Sequence, residues 1–147
     1  MAYELYQEVL PGAAASAVGC TGSATDPTVG KYKFVFISVT ADSTLGQIKV
    51  NATAGAPCVG VLVDSPVAQG VGCTVVTRGA VKMITGGTFT AGQPIMSDGN
   101  GLAVVATQGA SDTENYVMGT ARETCAYTGN IVTISLVGQG YWSKSAA

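Results

Sequence analysis

The sequence predicts an all-β fold: a small β-barrel or sandwich of short antiparallel strands with an extended N-terminal arm. Three observations lead there. Short apolar runs rich in Val and Thr recur along the chain, separated by Gly, Asn, Asp and Pro. Only 11% of the 147 residues are charged, 47% are hydrophobic and 20 are Gly, a composition of small side chains suited to strands and tight turns. Residues 59–79 (VGVLVDSPVAQGVGCTVVTRG) and 118–138 (MGTARETCAYTGNIVTISLVG) also read as two copies of one unit. Gly60, Gly70 and Gly79 fall on Gly119, Gly129 and Gly138, Thr74 on Thr133, Asp64 on Glu123, Ser65 on Thr124 and Val75 on Ile134. Glycines recurring at fixed spacing mark turns or bulges, so two related hairpins are expected.

Residues 1–30 mix a short amphiphilic start with Gly, Ala, Ser, Thr and Pro, and show no regular core pattern. They are expected to form an extended arm that orders on contact with a partner surface or a neighbouring subunit through Tyr3, Leu5, Tyr6, Val9 and Leu10; the competing arrangement is an edge strand or helix docked on its own domain. The β domain is assigned to 31–138. From Lys31, Tyr32, Phe34, Phe36 and Ser38 face one way and Lys33, Val35, Ile37 and Val39 the other, which makes a central strand apolar on both faces. Further strands are expected at 46–50, 58–63, 71–77, 79–84, 93–97, 102–106, 115–121 and 131–137. Asp98-Gly99-Asn100-Gly101 supplies residues that tolerate positive φ and predicts a tight hairpin. A calcium loop would need more carboxylates after the glycine, where Leu102, Ala103, Val104 and Val105 stand. The last strand places Val132, Ile134 and Leu136 on one face. Residues 139–147 are read as a C-terminal tail whose Tyr141 and Trp142 are further candidates for contact with a partner surface or subunit.

Little chemistry is on offer. The chain has no His, so no Ser-His-Asp or Cys-His arrangement exists. Cys20, Cys58, Cys73 and Cys125 include no C-x-x-C pair, and no metal site, cofactor site or catalytic residue is expected. Cys58 and Cys73 sit in Val-rich runs and read as small buried hydrophobes, with a Cys58 to Cys73 bridge as the one pairing worth testing. The Walker and dinucleotide patterns fail around Gly30-Lys31 and Gly70-x-Gly72. Seven basic residues scattered through a chain of net charge −2 form no stripe for phosphates, so nucleic acid is not an expected partner. Apolar stretches are broken every few residues, so no membrane span is expected, and Glu4 and Glu8 stand where an export signal would be basic. So few charges leave weakly polar surface that self-association would cover.

The order GVLVDSPVAQGVGCTVVTRGAVKM, TFTAGQPIMSDGNGLAVVAT and YVMGTARETCAYTGNIVTISLV resembles the capsid cement, or head decoration, proteins of tailed bacteriophages. The shared features are a GV-L segment leading through a Gly turn to V-V-x-x-G, an AG-x-P-x-x-S-D-x-x-G hairpin and a closing G-x-A … G-x-x-V-x-I strand pair, over roughly residues 31–138. The resemblance implies a non-enzymatic structural virion protein, made in the host bacterial cytoplasm. It would bind the outside of the capsid shell through the major capsid protein, often as a homotrimer, and stabilise the shell against internal DNA pressure. Residues 1–30 and the Tyr141-Trp142 tail match no motif of that family, so contact residues do not carry over. The alternative is an adhesive or carbohydrate-binding β module of a phage head or tail fibre, against which the single Trp counts.

Overall fold

The computed structural model describes residues 7–13, 31–38, 47–64, 71–107 and 114–144. Its strands are β1 (Gln7–Ala13), β2 (Phe34–Ser38), β3 (Gln47–Val50), β4 (Gly60–Leu62), β5 (Gly72–Ile84), β6 (Pro94–Ser97), β7 (Ala103–Val105), β8 (Glu114–Ala121) and β9 (Ile131–Lys144). They hydrogen-bond in the order β3-β2-β4-β5-β9-β8-β6-β7, with β1 added to β5, and every paired strand is antiparallel. The all-β expectation holds, with no helix among the described residues. The β6–β7 turn and the start of β7 also bond back to β2 and to the residues that follow β5. Phe34 N donates to Gly101 O at 2.8 Å, Gly86 N to Ala103 O at 2.8 Å, and Thr85 bridges Ala103 in parallel.

Beyond shifts of a few residues at strand ends, the strands differ from the sequence reading in three places. The runs 71–77 and 79–84 form one strand, β5, because Gly79 at φ +98° carries the chain through a bend without ending it. There Glu8 pairs Arg78 and Val9 pairs Val76, so one step on β1 spans two on β5, which is a β-bulge. The extra residue reverses the alternation. Cys73 and Val75 bury themselves on one face and Val76 on the other, and beyond Gly79 it is Val81 and Met83 that join Val76's cluster. The other two differences are β1, formed by part of the segment read as irregular arm, and the extension of β9 past 137 to Lys144, through part of the segment read as tail.

The two hairpins β4–β5 and β8–β9 share one register. Val61 pairs Val76 as Thr120 pairs Ser135, and Leu62 pairs Val75 as Ala121 pairs Ile134. Val63 N donates to Thr74 O at 3.1 Å, and Arg122 N to Thr133 O at 3.0 Å. Asp64 Oδ2 accepts from Thr74 N at 2.6 Å, and Glu123 Oε2 from Thr133 N at 3.0 Å. The matched carboxylates thus cap matched strand starts.

Two apolar clusters flank the β4–β5 pair. The larger joins Phe34, Val61, Val76, Met83, Ile95, Met118 and Ile134 with their neighbours, and the smaller joins Ile48, Leu62, Cys73 and Val75. A strand buried on both faces must be apolar at successive positions, which is what GVL in β4 shows. The buried polar side chains are bonded. Asn51 Nδ2 donates to Thr53 O at 2.6 Å and Ser97 Oγ at 2.8 Å, and Thr85 Oγ1 donates to Tyr127 O at 3.0 Å while accepting from Asn130 N at 3.1 Å. The Asp98 turn forms as expected: Asp98 Oδ1 accepts from Asn100 N and Leu102 N at 2.8 Å each, and Gly101 takes φ +75°.

Candidate functional site

Among the described residues, the carboxylates of Asp64, Asp98 and Glu123 accept structural backbone hydrogen bonds. Asp64 and Glu123 each bind a backbone N–H within their own hairpin and do not form an acid pair with one another. Cys58, Cys73 and Cys125 are buried free thiols, so the Cys58 to Cys73 bridge is not formed, and Cys20 lies outside the described residues. Burial pushes the Cys58 thiol up to about 12 despite a hydrogen bond with Ser97, and burial followed by the Asp64 charge raises Cys73 as well. Thiols held protonated in this way are poor nucleophiles and poor metal ligands. Among the described residues no three His, Cys, Asp or Glu side chains converge. A shallow open depression lined by Thr88, Phe89, Thr90, Gln93, Thr124 and Cys125 offers hydroxyls and an amide but no charge.

What remains is surface and strand edge. Of the candidate contact residues, Tyr3, Leu5 and Tyr6 lie outside the described residues, whereas Val9 and Leu10 fall in β1, opposite Val76 and Val75. Because β4 already pairs Val75 and Val76, β1 must occupy the other edge of β5. Tyr141 and Trp142 fall in β9 opposite Val117 and Tyr116, so they follow β8 and not β1. The structure therefore brings the two candidate groups to different strands. Sequence reasoning missed an exposed apolar group at the start of β9: Ile131, 52% exposed, stands opposite the half-buried Ile84, and Tyr127, 72% exposed, precedes it in the turn closed on Thr85. The doubly apolar pairing of Ile84 with Ile131 was the available signal, visible only once the register was known.

Pro11 sits in mid-strand, where a missing N–H ordinarily costs a ladder bond. Its partner Thr74 turns both backbone groups the other way, N–H to Asp64 and C=O to Val63. Pro11 and Thr74 are thus a non-hydrogen-bonded pair, and the proline loses nothing there.

No curated protein matches the sequence. Among solved structures, the head fiber gp8.5 N base of bacteriophage phi29 is similar in fold, with a TM-score of 0.61 at 20% identity over 91% of this chain and 98% of that one. The family model described as phage cement protein matches residues 23–136, which include β2 to β8 and the first part of β9. With that match over most of its length, this chain belongs to the phage cement protein family, structural proteins of the virion that bind and stabilise the capsid.

Proposed function

We propose that this chain decorates the outer face of the capsid as a homotrimer, bound to the major capsid protein. The observation that carries the reading is the family match across 23–136. Charge supports the outer face: a chain of net charge −2 with scattered basic residues has no attraction for packaged DNA on the inner side. Low charge content and exposed Ile131, Val137 and Tyr127 support self-association, and cyclic symmetry suits the lattice points of a shell. Binding the assembled shell but not its separated subunits stabilises the shell by mass action, and many copies across capsomer joints add their contributions. The contact to the shell is assigned to Tyr3, Leu5, Tyr6 and the flanking part of the arm, with Tyr141 and Trp142 on the strand beside β8.

The test uses expanded heads lacking the protein. Purified chain should bind them to saturation and raise the temperature at which they release DNA, whereas absence of binding overturns the reading. Deleting Met1–Tyr6, which leaves β1 intact, should lower occupancy on heads; equal occupancy moves the contact to the β body. The adhesive alternative draws on the fold shared with a head fiber base. It predicts binding to host cells or glycans by protein that heads do not need for stability.

A further inference from the structure

We propose that β1 is exchanged between copies, so that in the assembled protein the edge of β5 at Gly72–Gly79 is filled by Gln7–Ala13 of a neighbouring copy. The inference rests on the homotrimer reading and adds what would hold the copies together.

The shared register of the two hairpins defines an equivalent slot in each. In the second hairpin, the edge of β9 opposite β8 is filled by the C-terminal half of β5: Ala80 pairs Ser135, Val81 pairs Ile134, Lys82 pairs Thr133, Met83 pairs Val132 and Ile84 pairs Ile131. In the first, the edge of β5 opposite β4 is filled by β1: Val9 pairs Val76, Leu10 pairs Val75, Pro11 pairs Thr74, Gly12 pairs Cys73 and Ala13 pairs Gly72. The five pairs correspond one to one. Each slot needs an occupant, because the strand that lines it carries apolar residues on both faces and would otherwise present bare backbone groups beside them.

The slots differ in how their occupant is tied to the chain. β5 fills the second slot as part of the central strand of the body, so its donor is fixed. β1 lies off the main path of the sheet, and 20 residues separate Ala13 from Phe34. Ala13 stands opposite Gly72, and Phe34 is placed through Val61 opposite Val76, so the gap is about four residues along β5 and three strand spacings across, roughly 20 Å. Twenty residues reach roughly 65 Å when extended. That surplus allows the same hydrogen bonds to be made in a neighbouring copy, and exchange of an identical element is a low-cost route to a closed oligomer. Strand addition of this type draws its affinity from the main chain and its specificity from alternate side chains.

The experiment exploits the Pro11 and Thr74 pair, whose non-hydrogen-bonded geometry puts Cα atoms about 4.5 Å apart, within disulfide range. In a full-length background carrying Cys20→Ser and Cys73→Ala, one chain carries Pro11→Cys and another Thr74→Cys. The two are co-expressed with different tags, purified together through both and oxidised with copper phenanthroline. The double variant Pro11→Cys with Thr74→Cys in one chain reports that the pairing itself forms. The expected result is a covalent species of two chains from the co-expressed singles, lost on reduction. Exchange is overturned if the double variant closes its bond within one chain while the singles stay unlinked. It is equally overturned if no bond forms in either, since β1 then does not pair β5 in this register. Molar mass by light scattering separates the two claims: an oligomer without inter-chain bonds refutes exchange alone, and a monomer refutes the trimer with it.

Discussion

Gly60→Ala tests whether the two hairpins are built on close backbone approach. A Cβ at Gly60 would lie 2.2 Å from the Val76 carbonyl oxygen and 2.8 Å from Val75 Cγ1; at Gly119 it would lie 2.4 Å from the Ser135 carbonyl oxygen. Ordinary carbon contacts lie near 3.5 Å, so β4 must move from β5 by roughly 1 Å, against backbone that has no rotamer to yield. Overpacking of this kind costs about 1–3 kcal/mol. The backbone obstacle puts Gly60 in the upper half of that range, and the entropy gained in the unfolded chain returns about 0.4–1 kcal/mol. The net expectation is about 2 kcal/mol, and at roughly 2–4 °C per kcal/mol a fall in Tm of about 4–8 °C. Gly119→Ala should match it. Gly72 is the internal control: nothing lies within 4 Å of its added Cβ and its φ is not positive, so Gly72→Ala should be neutral or slightly stabilising. Calorimetry and urea unfolding of the three variants read this directly. A Gly60→Ala protein within about 0.5 kcal/mol of the parent, the scatter of an ordinary surface change, would refute the close approach, as would a Gly72→Ala protein equally destabilised.

Three further outcomes follow. Asp64→Ala removes the acceptor 2.6 Å from Thr74 N and should cost about 1–2 kcal/mol, more than Glu123→Ala, whose equivalent bond is longer and exposed; urea midpoints decide. Asn51 is 3% exposed and ties Thr53 to Ser97, so Asn51→Leu should destabilise by about 1–2 kcal/mol by removing the buried amide's bonds to both, the Ser97 hydroxyl keeping its bond to Asp98 O, and a change under about 0.5 kcal/mol would contradict that network. Stability should fall in alkali. The unfolded Cys58 thiol ionises near 9.0 and the folded one near 12, so its contribution is fully present below 9 and is lost as pH rises through that window, at about 1.4 kcal/mol per pH unit. Cys73 is raised in the same direction. Cys58→Ala should flatten the decline between pH 9 and 11, and an unchanged slope would remove the thiol as its cause.

The strands legible in the sequence are those whose burial is set by their own pattern. GVL in β4 and VTISL in β9 announce themselves because alternation or continuity of apolar residues reports the face directly. Gly79 misled for a physical reason. A glycine between two apolar runs signals a turn as readily as a bulge, and only pairing on both sides of it distinguishes the two. β1 was obscured by Pro11 and Gly12, residues that speak against a strand until the partner's bonds are seen to point away. The matched carboxylates were visible as Asp64 on Glu123, but their shared role needs the strand register, since capping of a backbone N–H ten residues on is a tertiary fact. The surface around Ile84, Ile131 and Tyr127 stayed hidden because neither segment looks unusual alone. The absence of His, in contrast, narrowed the chemistry from composition alone.

If this chain reinforces the capsid, its presence should govern the release of DNA from its own phage heads on heating. Heads stripped of it should release DNA at lower temperature, and adding back purified chain should restore the original temperature in step with the copies bound. Heads that release DNA at the same temperature whether bare or fully decorated would show that the chain does not reinforce the shell.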